Sequence, residues 1–509
     1  MRRRCSTLLL VLLMAACTSD PGVRSERVDP SGQGSVAVTG DSAPTSTTPD
    51  STDAGGDTTG PSDPSTDPPA GTADGVGDLL FPHLGNPGID VEHYDVALDF
   101  DASTGQLQGT VGLDIVLTGD REEITLDCLG PQVTATTVDG TAVSAVDDSP
   151  ELRIPLPAAG HAGDHLRVEV AYHLRPSPVG SDSGLPSGWF NSEHGSYVLN
   201  EPEGARTWLP SNDHPSDKAS YTFTITVPAG VTAVANGALA DHTTAAGHEV
   251  WTWKEARPMA TYLIQVLTGD YELIEGTGPH GMPLLSVVLR ADRQLMQPFV
   301  DITPDIITFY EQYFGAYPLD RYGVAMTDSF GGLAMETQER STFSRDDFLG
   351  GSLGDIEQLL LSHELAHQWF GDAVTPARWQ DIWLNESFAT YAEWMWLDHA
   401  GFTSVAAAAD DALANRPPGS SADPSIGDMF GYNSYTGGAV VLHALRNTIG
   451  DTKFFALLQR WVVDNNGSSR TTQDFIVLAE EVSGRSLGDF FDTWLFADRP
   501  PDSFPAPLG

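Results

Sequence analysis

His363-Glu364-Leu365-Ala366-His367, joined by Glu386 after the intervening residues 368 to 385, is the stretch that decides how this chain is read. Residues four apart share one face of a helix, so His363 and His367 can present two imidazoles to a single ion. Glu364 lies beside them, where a carboxylate can polarise a metal-bound water. A catalytic zinc takes three protein ligands and keeps one position open, and two histidines with a glutamate form one of its ligand sets. Glu386 supplies the third ligand, near the start of a second helical pattern in Trp383-Leu384-Asn385-Glu386-Ser387-Phe388-Ala389. A solvated helix with two ordinary histidines is the bland alternative, and it loses ground once Glu386 is counted.

Around this stretch the pattern is helical, with apolar residues at helical spacing over 299–314, 355–370, 386–399, 437–449, 453–462 and 472–482. A strand-like run, 284–289, stands in front of them. Trp369, Trp379, Trp383, Trp394 and Trp396 cluster about the motif and are expected to pack its core. His399 and His443 sit on apolar helix faces and are expected to be structural. Upstream, from 78 to 276, the period changes to two. Tyr94, Val96, Leu98 and Phe100 alternate with Asp95, Ala97 and Asp99, and Tyr221, Phe223, Ile225 and Val227 alternate with threonines. The reading is an α+β chain: an antiparallel β-sandwich or saddle over 78–276, followed by a mainly helical domain over 277–505.

The first residues belong to neither domain. Arg2, Arg3 and Arg4 precede the apolar run Leu8 to Ala16, the pattern of a secretory signal over 1–16. That run is too short for a bilayer core of about 30 Å. Met14-Ala15-Ala16-Cys17 resembles the bacterial lipoprotein processing site, so Cys17 is the expected lipidated residue of an exported, membrane-anchored protein. An ordinary cleaved signal leading to secretion is the alternative. Residues 17–77 are almost wholly Ser, Thr, Pro, Gly, Asp and Ala, too polar to offset the entropy of ordering, and read as a tether. Cys128 is left alone in the globular part as a small buried hydrophobe, and no disulfide framework is available. With 70 acidic against 26 basic residues and a formal charge of −44, nucleic acid is excluded as a partner.

Metal-assisted amide hydrolysis also needs a donor for the oxyanion and groups that choose the bond to be cut. Three further stretches are candidates: Gly331-Gly332-Leu333-Ala334-Met335-Glu336-Thr337-Gln338, Ser434-Tyr435-Thr436-Gly437-Gly438, and Asn200-Glu201-Pro202-Glu203-Gly204-Ala205-Arg206. Taken in order with His363 to Glu386, they resemble the zinc aminopeptidase family of aminopeptidase N, within the thermolysin-related gluzincins, over about 85–505. The resemblance implies a thermolysin-like catalytic domain with one zinc on His363, His367 and Glu386, and Glu364 as general base. It implies that Glu336 holds the free α-amine of a peptide substrate, with Glu203 as the second carboxylate and Glu201 standing where the family often has glutamine. Tyr435 matches the oxyanion tyrosine, and Tyr432, three residues away, is its rival.

Leu333 and Thr337 depart from the family's Gly-Ala-Met-Glu-Asn loop, as Thr436-Gly437 does from its Tyr-Glu-Lys-Gly. Many members continue into a helical domain that roofs the cleft. This sequence reads as a short form without it, ending at Gly509, so a more open site is expected. Charge chemistry supports the same specificity, because a substrate α-ammonium, with a pKa near ~7.7–8.0, pairs with carboxylates that a blocked peptide cannot use. The rival functions are a zinc endopeptidase of the same class and a non-catalytic surface lipoprotein that binds peptides.

Overall fold

Alternating apolar residues build the first layer. Tyr94, Val96, Leu98 and Phe100, on the strand Ile89–Asp101, are buried, as are Tyr221, Phe223, Ile225 and Val227 on Lys218–Pro228. The computed structural model describes residues 75–329 and 332–508. The signal, Cys17 and the tether as far as residue 74 lie outside the described residues.

Ile89–Asp101 and Lys218–Pro228 sit at the centre of an eight-stranded sheet. They run parallel, with Tyr94 opposite Tyr221 and Val96 opposite Phe223. This one parallel pairing departs from the otherwise antiparallel pattern of the expected sandwich or saddle: period two reports which face is buried, not which strand lies alongside. The remaining pairings of this sheet are antiparallel. A five-stranded antiparallel sheet carries Gly195–Leu199 and Pro186–Asn191, and a smaller sheet pairs Arg121–Asp127 with Glu151–Gly160. Cys128 is buried at the end of that strand, and burial pushes its thiol up to about 12.

The sheet changes earlier than the expected boundary at 276/277. Tyr271–Thr277 pairs with Pro283–Leu289, which continues through Val324–Thr327 and Ser341–Ser344 to the short edge strand Ala334–Met335. The boundary therefore falls near Asp270, and the expected one would cut a hairpin.

Helices follow this front sheet: α1 (Arg293–Asp301), α2 (Thr303–Phe314), α3 (Asp355–Ala366), α4 (Trp383–His399), α5 (Val405–Asn415), α6 (Gly438–Ile449), α7 (Asp451–Asn465) and α8 (Thr472–Ser483). The single pattern over 299–314 is two helices broken at Ile302, with Pro304 in the first turn of the second. Helix α3 is started by Glu357, whose side chain accepts from the Gly354 N–H at 3.0 Å. Trp369, Trp379 and Trp383 are fully buried and Trp394 and Trp396 nearly so, as the sequence led one to expect. His443 meets the Tyr391 hydroxyl, and His399 lies exposed against Phe309 and Trp396.

Candidate metal centre

Helices α3 and α4 bring the first set of residues together. His363 lies in the last turn of α3 and His367 caps it, so their rings meet at 4.8 Å between centroids. Glu386 comes from the first turn of α4, and its Oε2 stands 3.3 Å from His363 Nε2 and 3.4 Å from His367 Nε2. Those separations decide between an ion pair and a metal site. The Nδ1 of His363 faces Glu393 Oε2 at 2.9 Å, and the Nδ1 of His367 faces the Phe370 carbonyl at 3.1 Å. Both partners are acceptors, so each Nδ1 carries the proton and each Nε2 offers a lone pair towards Glu386. Ligands on a tetrahedral ion with bonds of about 2.0–2.1 Å stand about 3.3–3.4 Å apart. The donors His363, His367 and Glu386 therefore fit zinc in type, orientation and spacing.

Glu393 is the functional residue that sequence reasoning missed. It lies seven residues after Glu386, on the same face of α4, and that spacing was the available signal.

The electrostatics follow from burial among unlike charges. Burial alone would raise the Glu386 carboxyl, but with His367 and His363 protonated their charge and hydrogen bonds outweigh it and hold it at about 2. A cation on the same Nε2 atoms would take the place of those protons. Burial pushes Glu364 up to about 8, with the same imidazoles pulling the other way. One Glu364 oxygen finds no donor in the protein, while Ser341 Oγ donates to its backbone carbonyl at 3.1 Å.

Glu336 directly follows the edge strand Ala334–Met335 and is buried at 3 % exposure with Oε1 unpartnered. Gln368, one residue beyond His367, fixes it by donating to its carbonyl at 3.0 Å. Thr337, one of the departures in this loop, donates to the Arg340 carbonyl at 2.5 Å and meets Thr342 Oγ1 at 2.9 Å, so the position serves the loop's own network.

Beside Glu336 the structure brings Glu201 and not the expected Glu203. Glu201, Glu336 and Glu386 offer oxygens within 4.8 Å of one another, and Glu201 Oε1 is buried without a donor. Glu203 is turned to Arg206, with which it forms an ion pair, and to Ser181 Oγ, which donates to it at 2.7 Å. The two glutamates flank Pro202 in one turn, and capture by Arg206 three residues on sends Glu203 the other way.

Tyr435 reaches the centre from a π-helical turn, Asn433–Gly437, that leads into α6. Its ring lies 5.9 Å from that of His363, nearly parallel to it. Burial, followed by the charge of Glu386, raises its phenol well above the ordinary range, so it stays a donor. Gly438 permits this approach: a Cβ there would stand 1.8 Å from Ser387 Oγ on α4. Ser387 instead donates to the Ser434 carbonyl at 2.6 Å, tying the turn to α4. Tyr432 points elsewhere, donating to the Ala412 carbonyl at 2.9 Å.

Comparison with known proteins gives the family of both parts of the chain. Residues 90–263 match the peptidase M1 N-terminal domain and residues 299–494 the peptidase family M1 domain. Leucyl aminopeptidase of Saccharolobus solfataricus is 27% identical over 431 residues, 80% of this chain and 53% of that protein. The chain spans about half the length of the curated relatives it matches. An M1 zinc metallopeptidase from Deinococcus radiodurans is 32% identical with a TM-score of 0.77, covering 85% of this chain and 99% of the other. A mutant of an M1 zinc metallopeptidase from the same organism, solved with a Tyr-Ser-Ala substrate, is 30% identical with a TM-score of 0.75 at the same coverage. With both domains matched in order and a solved relative covered over nearly its full length, this chain belongs to the M1 family of peptidases.

Proposed function

We propose that the protein is a zinc-dependent aminopeptidase that removes the N-terminal residue from peptides. The observation that carries this reading is the pair Glu201, half-buried, and Glu336, buried, each with an enclosed, unpartnered oxygen beside the metal triad. They lack a cation, and the α-ammonium of a peptide is a cation of matching size with three donors. A relative solved with Tyr-Ser-Ala supports peptides as the substrate class.

In this reading His363, His367 and Glu386 hold one zinc, oriented through Glu393 and the Phe370 carbonyl. Zinc bound there acts as a Lewis acid on the scissile carbonyl and lowers the pKa of a coordinated water. Glu364 takes the proton from the attacking water and passes it to the leaving amine. Tyr435 donates its phenolic hydrogen to the oxygen of the tetrahedral intermediate as charge develops there. Glu201 and Glu336 clamp the ammonium, which sets the scissile bond one residue from the chain end and excludes blocked or internal peptides.

We further propose export, with Cys17 as a lipid anchor and peptides as the partners. This rests on Arg2 to Arg4, the apolar run Leu8 to Ala16 and Cys17. Among the described residues no helix is long and apolar enough to cross a membrane.

The test is a panel of aminoacyl fluorogenic amides beside their N-acetylated forms, with chelator and after zinc is restored. Chelator-sensitive, zinc-restored cleavage of the free-amine set alone is the expected result. Equal cleavage of the acetylated set would make the protein an endopeptidase, and a zinc-loaded but inert protein would make it a binding lipoprotein.

A further inference from the structure

Glu386 belongs to two groups of metal-capable donors at once. One is the triad with His363 and His367, and the other is the group Glu201, Glu336 and Glu386, again with one oxygen from each within 4.8 Å of the others. Opposite ligands of a single ion with bonds of about 2.0–2.2 Å stand at most about 4.4 Å apart, so small side-chain adjustments close the second group on an ion. A carboxylate has two oxygens and can serve both positions.

Charge balance points the same way. Glu201, Glu336, Glu364, Glu386 and Glu393 gather about the two imidazoles, five acidic side chains for which one dication brings two positive charges. Two cationic side chains of the neighbouring β-rich part, Arg206 and Lys218, are committed elsewhere. Arg206 pairs with Glu203, and Lys218 Nζ donates to the Asp372 carbonyl at 2.6 Å and more weakly to that of Ala373. The geometry adds Glu336 Oε1, the oxygen also used in the amine-binding reading, which finds no donor although the residue is only 3 % exposed. A buried carboxylate oxygen without a donor is costly unless a cation or water meets it.

We propose that Glu201, Glu336 and Glu386 form a second divalent-cation position, bridged to the first through Glu386, where a free metal ion competes with the substrate ammonium. This rests on the amine-binding reading above and adds a regulatory consequence to it. Substrate and second ion use the same oxygens, so surplus zinc raises KM, saturating substrate restores kcat, and a free amino acid displaces the second ion.

The experiment uses the full chain loaded with one equivalent of zinc and dialysed against rising zinc sulfate, with bound metal measured directly. A second equivalent per chain is expected, together with competitive inhibition. Glu336→Gln should keep the first equivalent, which shows that it is folded, and bind the second about ten- to a hundredfold more weakly. Glu203→Gln should bind both like the wild type. Metal content fixed at one per chain at millimolar zinc, or a Glu336→Gln variant that still takes up the second ion normally, would overturn the proposal. The two readings fail separately. A one-zinc enzyme that still rejects acetylated substrates loses only the second ion, whereas equal cleavage of acetylated substrates removes the amine site whatever the metal count.

Discussion

Asp127, deep in the β-rich part, accepts hydrogen bonds from the Asn86 amide at 2.8 Å and from the backbone N–H groups of Asp213 and Gly85. Asp213 accepts from Thr261 Oγ1 at 2.6 Å and from the Arg206 N–H, and Asp78 from the Phe81 and Trp379 N–H groups. In the metal centre Glu336 and Glu364 are buried and Glu201 half-buried, yet each keeps an enclosed oxygen that no protein donor reaches. Both clusters bury acid, and they differ in who supplies the hydrogen. Where the protein supplies it, the carboxylate is a fixed part of the scaffold that ties strand ends together, and Asp78 ties them to the residues before α4. Where it does not, beside the metal triad, the proposed reading is that a cation from outside meets the oxygen and relieves the cost.

That contrast can be broken at several points. The largest expected effect is at Glu364. Glu364→Gln should retain one zinc and lose roughly 10²–10⁴ in kcat, measured with metal analysis beside turnover. Near-normal turnover would remove Glu364 from its role. Tyr435→Phe should cost about 10²–10³ in kcat with little change in KM, while Tyr432→Phe, whose hydroxyl only meets the Ala412 carbonyl, should stay close to wild type.

The pH profile sharpens the comparison next. Glu364 must be ionised to act as a base. Burial pushes it up to about 8, and the cation at the triad draws it down again, so kcat/KM should rise with pH along a limb that ends below 8. Above about 7.7–8.0 the substrate ammonium loses its proton and the clamp its partner, so kcat/KM should fall. A profile flat between pH 5 and 9 would contradict both assignments. On the scaffold side the effect is on stability alone. Asp127→Ala strands the donors of Asn86, Asp213 and Gly85, and should lower stability by about 1–3 kcal/mol in denaturant unfolding without changing kcat/KM of the folded enzyme.

What could be read in the sequence follows from range. His363 and His367 are four apart on one helix, so their juxtaposition is local and legible, and the helical patterns after 355 returned as helices within a few residues. The partner of a strand is not local, and the parallel pairing of Ile89–Asp101 with Lys218–Pro228 left no trace in the period-two pattern of either. Glu201 and Glu203 are two residues apart in a turn, and only the side chains of Arg206 and Ser181 decide which one reaches Glu336. Helix α5 escaped notice because beyond Val405 in its first turn its buried side is only Ala409 and Ala412, too small to mark an apolar stripe. Glu393 was legible as the residue seven after Glu386, but its meaning depended on His363 lying opposite.

The most direct measurement is the ratio of kcat/KM for a free aminoacyl amide to that for its N-acetylated form, in the wild type and in Glu336→Gln, Glu201→Gln and Glu203→Gln. A charge-assisted contact is worth about 1.5–3 kcal/mol. The ratio should therefore fall by about tenfold to somewhat over a hundredfold in the first two variants and hold in the third. A ratio unchanged by Glu336→Gln and Glu201→Gln, or collapsed only by Glu203→Gln, would contradict the claim that the unpartnered carboxylates are the amine site.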